Sequence, residues 1–282
     1  MVKLIECPRD AMQGLADFIP TFQKIRYLNA LLKVGFHTLD FGSFVSPRAV
    51  PQMKDTASVL SQLDMDETET RLLAIVANLR GARDAAAHPL ISFLGFPLSL
   101  SETFQQRNTN QSLDEAFSVV KEMMNICGSA DKQLVVYLSM GFGNPYGDPY
   151  SPESVAEFTD RLQKMGVSIV SLSDTVGSAT NELIAELFER LTHDFPEIEF
   201  GAHFHARPEN ARERIAAAYH AGCRRFDSAL RGFGGCPMAK DDLTGNVATE
   251  SVLDFLESVQ EDVGIDEQAL EAAMSESVQV FG

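Results

Sequence analysis

An α/β fold, a (β/α)8 barrel with extra C-terminal helices, is what this sequence predicts, and three observations predict it. Short apolar, β-branched runs alternate with longer amphipathic ones along the whole chain. That alternation implies parallel strands joined by crossover helices. The strand-like runs number eight, the number that closes a barrel. No composition break, low-complexity tract or linker divides the 282 residues, so 1–282 reads as a single domain with a helical cap from about residue 250.

In order, the strand candidates are residues 2–7, 37–41, 72–77, 90–94, 134–138, 167–172, 198–203 and 224–228. Between them the 3.6-residue pattern predicts helices over 21–34, 113–127, 152–165, 181–193 and 208–221. Start signals support three of these: Asp114 with Glu115, Ser151-Pro152-Glu153, and Thr180 with Glu182. Gly35, Gly166 and Gly222 each stand shortly before a strand, where a left-handed helix end is expected. Leu253, Leu256, Val259 and Leu270 mark the tail as helical.

Composition narrows the partners. A net charge of −17 and a pI near 4.7 disfavour nucleic acid and anionic membrane surfaces, since both require a basic footprint. An anionic small molecule needs only local positive groups and stays open. Cys7, Cys127, Cys223 and Cys236 have neither zinc spacing nor disulfide density, which points to reduced thiols in a cytoplasmic protein. No apolar run reaches the roughly 20 residues of a spanning helix. Strand-like residues begin at Val2, which leaves no room for a leader peptide in this reading.

In such a barrel, function belongs to the loops that follow the strands. The first of these carries Arg9, Asp10 and Gln13; Asp40 ends the second strand, and Ser43 follows it. Gln13 and Ser43 are candidates, with Arg9, for holding a substrate. The seventh strand ends in His203-Phe-His205, whose alternate spacing puts two imidazoles on one face. Alone, that pair suits a metal site or two satisfied core histidines equally well. Asp10, both histidines and an Asn or Asp near the eighth strand make an oxygen and nitrogen ligand set. It suits six-coordinate Mg2+ or Mn2+ better than tetrahedral zinc, though ligand type does not exclude zinc. Arg9 beside a carbonyl would stabilise a developing enolate; its plainer role is a salt bridge with Asp10. The glycine-rich segment around Cys236 lacks the Lys-Ser/Thr of a phosphate loop. It reads as a structural turn or as a mobile lid bearing a titratable thiol.

Several segments together carry a resemblance: Glu6-Cys-Pro-Arg-Asp10, 43–53 beginning Ser-Phe-Val-Ser-Pro, Ser171-Leu-Ser-Asp-Thr-Val-Gly177, His203-Phe-His205, 232–240 containing Gly-Gly-Cys-Pro, and Gly245-Asn-Val-Ala-Thr-Glu250. In this order the chain resembles 3-hydroxy-3-methylglutaryl-CoA lyase, a DRE-TIM metallolyase, from about residue 2 to 260. The resemblance implies a TIM barrel, an acyl-CoA substrate, and a divalent cation on Asp10, His203, His205 and Asn246. It further implies that Arg9 stabilises an enolate, that Cys236 sits on the lid, and that Asp174 and Glu250 support the site. Asp40 stands where the family usually has a catalytic Glu. Ala11 and Met12 replace the usual Gly and Leu, Ala206-Arg207-Pro208 replaces a more usual Asp-Thr, and Asn144 replaces a Cys found in many relatives. A homodimer is the expected assembly. The expected reaction is retro-Claisen cleavage of 3-hydroxy-3-methylglutaryl-CoA to acetyl-CoA and acetoacetate, with Asp10 or His203 as base. Condensing relatives usually carry a further C-terminal domain for which 282 residues leave no space. Arg9→Gln is expected to abolish turnover with little loss of folding.

Overall fold

The computed structural model describes residues 1–234 and 244–282. Eight parallel strands, each hydrogen-bonded to the next in sequence and the last to the first, close a barrel. They are β1 (Lys3–Glu6), β2 (Thr38–Ser43), β3 (Arg71–Ile75), β4 (Ile91–Ser99), β5 (Gln133–Ser139), β6 (Ile169–Asp174), β7 (Glu199–Phe204) and β8 (Arg225–Ser228). All eight strands expected from the sequence are present. β4 runs five residues beyond its expected end, through Gly95 and Pro97. Gly95 has a packing reason to be there: a Cβ would lie 2.5 Å from Ile75 Cδ1 and 3.0 Å from Tyr137.

The helices are α1 (Pro8–Gln13), α2 (Thr21–Leu32), α3 (Thr56–Leu60), α4 (Leu79–Ala86), α5 (Glu102–Thr109), α6 (Leu113–Ser129), α7 (Pro152–Lys164), α8 (Asn181–Asp194), α9 (Pro208–His220), α10 (Thr249–Ser258) and α11 (Glu267–Phe281). Start signals act as expected at three of them. Ser112 and Ser151 form capping boxes at α6 and α7, and Thr180 accepts the Leu183 amide at α8. Gly35, Gly166 and Gly222 adopt φ of +93°, +87° and +98°, the left-handed conformation expected before a strand. The Pro8–Gln13 stretch, read as loop, is a short helix with Pro8 in its first turn, where the missing N–H costs nothing.

α10 packs on α9 and β8 as the eighth helix of the ring, and α11 is the added C-terminal helix, lying along α2. An Arg26–Glu276 ion pair of 2.7 Å and an edge-on contact of Phe281 with Tyr27 hold α11 there. The main apolar core lies between barrel and helices. Inside the barrel the walls are unequal. Leu73, Phe93, Val135, Tyr137 and Ile169 form an apolar side. The inward positions of β7 and β8 carry Glu199, His203, Arg225 and Asp227. That polar side positions the site. No helix among the described residues is long and apolar enough to cross a membrane.

Candidate active site

β7 and β8 pair so that His203 stands opposite Asp227, and both point into the barrel. Asp227 Oδ2 lies 3.2 Å from His203 Nδ1, which orients the ring and leaves Nε2 for the mouth. Burial works against a charged His203, but the bond to Asp227 and the charges of Asp227 and Asp10 raise its pKa. His205 follows at the strand end, its ring centroid 5.2 Å from that of His203. Its pKa falls to about 4 through burial and the neighbouring His203, so it is a neutral imidazole at pH 7.

α1 brings Arg9 and Asp10 to the same place. Ligand atoms of Asp10, His203 and His205 lie within 4.8 Å of one another, and all three residues are buried. Asp10 Oδ1 accepts from Arg9 Nη1 at 2.8 Å and from Gln13 Nε2 at 2.7 Å, while Oδ2 accepts from Asn246 Nδ2 at 2.8 Å. Burial alone would raise this carboxyl, but Arg9 and the two histidines bring it down to about 2. The Nε–Nη2 edge of Arg9 is held by Asp40, at 3.0 Å from Nε and 2.5 Å from Nη2 to Oδ2. Burial lifts Asp40 to about 6 against the pull of Arg9. The two carboxylates raise the Arg9 pKa, so the guanidinium is always charged. Arg9, Asp10, Gln13, His203 and His205 all line a cavity of about 380 Å3 at the C-terminal end of the strands; Asp40 and Ser43 stand behind its wall. Its other faces include Val45, Ile75, Pro97, Tyr137, Ser173 and Arg107.

The donor set fits a divalent cation. His205 Nε2 is buried and has no hydrogen-bond partner among the described residues, an arrangement that is costly unless its lone pair has another use. It lies 3.8 Å from Asp10 Oδ2. Asn246 is joined to His205 by a β-bridge, but its amide NH2 faces Asp10 and the Phe233 carbonyl, 2.9 Å away. Its oxygen becomes a ligand only if the amide turns over. A second grouping of Cys7, His203 and Asp227 is a poorer site, because burial pushes the Cys7 thiol well up and away from the thiolate.

The other expected residues have supporting positions. Asp174 points outward from the barrel, accepting the Ser178 and Ala179 amides at 2.9 and 3.0 Å and Arg214 Nη1 at 2.8 Å. Arg214 also donates to the His205 carbonyl at 3.0 Å, so the pair anchors the backbone of that ligand. Glu250 accepts the Arg231 amide at 3.0 Å and holds that residue at φ +62°, where the glycine-rich segment begins. Ser43 is buried at the end of β2, its hydroxyl without a partner among the described residues. Asn144 bonds Tyr146, Asp148 and the Asp148 carbonyl, so it shapes its own loop. Arg207 precedes α9 without a side-chain cap, and Pro208 begins the helix. Cys236, with the rest of 235–243, lies outside the described residues.

Sequence reasoning missed Asp227, Arg214 and Glu6. Asp227 was legible only as an alternating polar position within a strand. Glu6 is fully buried on the outer side of β1, accepting the Leu230 amide at 2.8 Å and the Thr249 hydroxyl at 2.6 Å.

The chain is similar to known proteins over nearly its whole length. A lyase from Pseudomonas aeruginosa described as 3-hydroxy-3-isohexenylglutaryl-CoA/hydroxy-methylglutaryl-CoA lyase is 34% identical over all of this chain and 93% of its own. The hydroxymethylglutaryl-CoA lyase of Bacillus subtilis is 32% identical over 89% of this chain and 83% of its own. Among solved structures, the B. subtilis HMG-CoA lyase superposes with a TM-score of 0.91 at 31% identity, covering 99% of this chain and 93% of that one. An HMG-CoA lyase from Acinetobacter baumannii, in complex with coenzyme A and 3-methylmalate, also gives 0.91, at 28% identity over 99% and 91%. The HMGL-like family model matches residues 2–276, which takes in every strand and the Asp10, His203 and His205 cluster. This chain belongs to the HMGL-like family.

Proposed function

We propose that the protein is a divalent-metal-dependent carbon–carbon lyase that cleaves 3-hydroxy-3-methylglutaryl-CoA to acetyl-CoA and acetoacetate. The observation that carries this reading is that Arg9 and the Asp10, His203 and His205 cluster open into one cavity. Family membership and relatives of that activity support it.

Asp10, His203 and His205 would hold the cation, with Asn246 as a further ligand once its amide turns. Mg2+ or Mn2+ is the ion proposed, on the oxygen and nitrogen donors. When bound, the ion supplies acidity to the substrate's tertiary hydroxyl and a hold on its carboxylate. Asp40 fixes one edge of Arg9, so Nη1 is the nitrogen left to serve both Asp10 and a substrate oxygen. As the C2–C3 bond breaks, its electron pair passes to C2 and delocalises onto the thioester oxygen, which draws on Arg9 Nη1. That weakens Arg9's hold on Asp10 and raises the proton affinity of the carboxylate. Asp10 or His203 takes the hydroxyl proton as the C3 oxygen becomes the ketone of acetoacetate. C2 then takes a proton from Cys236 or an adjacent water, completing acetyl-CoA. A homodimer in the cytoplasm is proposed with it; Cys7, Cys127 and Cys223, all buried free thiols, suit a reducing compartment.

The test is release of acetoacetate from 3-hydroxy-3-methylglutaryl-CoA by protein stripped of metal and reloaded with Mg2+ or Mn2+. Folded, loaded protein that releases none would overturn the reading. A second substrate deserves the same assay. The apolar wall formed by Val45, Ile75 and Pro97, and the P. aeruginosa relative's description, favour a longer branch at C3. A higher kcat/KM for an isohexenyl-branched substrate would select that alternative.

A further inference from the structure

At the opposite, N-terminal end of the barrel lies a second cavity of about 250 Å3, lined in part by Lys3, His37, Arg71, Phe93, Glu199 and Arg225. Its charges do not balance. Lys3, Arg71 and Arg225 face Glu199 and Glu197, leaving one positive charge over in a protein whose net charge is −17. Arg225 is the unusual member, with none of its surface exposed. Its Nη1 makes one long bond of 3.3 Å to Glu199, whose other oxygen is held by Lys3. Nε and Nη2 of Arg225, the two nitrogens that share the side edge of the guanidinium, are buried and have no partner among the described residues.

Neighbours explain why no side chain fills that edge. Arg71 Nη2 donates to His37 Nε2 at 2.7 Å. An arginine can only donate, so His37 carries its proton on Nδ1 and gives it to the Thr38 hydroxyl at 2.8 Å. His37 is therefore neutral, with no acceptor left for Arg225. Burial and the charges of Arg71, Arg225 and Lys3 keep it so, with a pKa near 4. Arg71 and Arg225 lie 4.6 and 5.9 Å from the Phe93 ring, which gives them a π-face but no acceptor lone pair. Gly201 lets the Arg225 stem lie against β7: a Cβ there would come within 3.0 Å of Arg225 Cδ and 3.1 Å of Ser171 Oγ, a hydroxyl that is itself buried without a partner among the described residues.

We infer that the N-terminal end of the barrel is a binding site for a small oxyanion, two of whose oxygens take the Nε–Nη2 edge of Arg225 while Lys3 and Arg71 supply the surrounding positive field. A parallel pair of N–H donors is the geometry that arginine uses for carboxylate and phosphate groups. Arg225 shares the inward face of β8 with Asp227, two residues on, so occupancy braces the strand that carries the His203 partner. The site acts on stability and not on the chemical step.

Inorganic phosphate and selenate are the probes, used on the full-length protein. Selenate soaked into crystals should give an anomalous peak within hydrogen-bonding distance of Arg225 Nε and Nη2. Phosphate should raise the Tm of the wild type in the saturable way expected of a native-state ligand. Arg225→Lys, which keeps the charge but loses the fork, should weaken that binding at least tenfold. Arg71→Gln, an exposed change that should fold normally, should weaken it about threefold. Arg9→Gln, at the other end of the barrel, should leave the phosphate effect unchanged. Water alone at Arg225 in the selenate crystals would overturn the assignment. So would a phosphate effect that survives Arg225→Lys, or one that disappears with Arg9→Gln.

Discussion

His203 and Asp227 face each other across neighbouring strands in register, with 3.2 Å between Nδ1 and Oδ2. The bond fixes which imidazole nitrogen meets the mouth of the barrel. It also makes that nitrogen a better donor, since the carboxylate draws the Nδ1 proton away. Asp227→Asn keeps the shape and removes the charge, so divalent cation affinity should fall on the order of 10–100-fold. Mn2+ titration followed by electron paramagnetic resonance measures this, with circular dichroism as the check on folding. Unchanged Mn2+ affinity would remove Asp227 from the site.

The Arg9–Asp40 pair changes the expectation for Arg9→Gln. Asp40 is wholly buried, and Arg9 is its only ion-pair partner among the described residues. Losing Arg9 therefore leaves a carboxylate in the barrel without its cation, which typically costs about 3–5 kcal/mol. Because burial already places Asp40 near 6, it can take up a proton, and the loss should fall at the low end of that range. Arg9→Gln should then lower both stability and turnover, turnover by about 100-fold or more. Adding Asp40→Asn should restore much of the stability and none of the activity. Urea midpoints and acetoacetate release on the wild type and the two variants separate the two effects.

How far the sequence reached depends on what each residue's partner is. The strands were legible because apolar alternation is a local property of each run. β4 was cut short because the reason for Gly95 is a side chain on β3, which no local pattern reveals. In the site, Asp10, His203 and His205 could be found from their places at strand ends. Asp227 could not, since its meaning comes from the register of β8 on β7. Arg214 looked like an ordinary helix residue, and only the packing of α9 brings it to Asp174 and the His205 carbonyl. The ring position of α10 and the attachment of α11 to α2 are likewise tertiary facts.

Glu6 gives the protein a pH-dependent stability unrelated to its cavity. Burial, reinforced by Glu250 and opposed by the bonds from Thr249 and Leu230, lifts its pKa from 4.5 to about 8. Between those two values the folded state holds a proton that the unfolded state has lost. Its contribution is therefore complete below about pH 4.5 and is lost as the pH rises through about 8. From this group the stability should decline by on the order of several kcal/mol across that window. Glu6→Gln, which cannot ionise, should flatten the curve. Guanidinium midpoints at intervals from pH 5 to 9 would show it, and parallel curves for the two proteins would rule Glu6 out as the source.

The last helix reaches the site through one aromatic pair. Phe281, at the end of α11, stacks on Phe233 with centroids 4.4 Å apart and planes 17° from parallel. Phe233 in turn gives its carbonyl to Asn246 Nδ2, the amide that also bonds Asp10. Gly234, next along, sits so close that a Cβ would lie 2.5 Å from the same nitrogen. Such crowding tolerates little movement of Phe233, and the Phe281 ring is what stands against it. Phe281→Ala should cost about 1–3 kcal/mol, below a fully buried Phe because the ring is half-exposed. It should also weaken Mn2+ binding severalfold by loosening Asn246. Phe281→Leu, which keeps apolar bulk but not the stacked ring, should recover most of the stability and less of the Mn2+ affinity. If both variants bind Mn2+ like the wild type, α11 stabilises the fold and has no hold on the site.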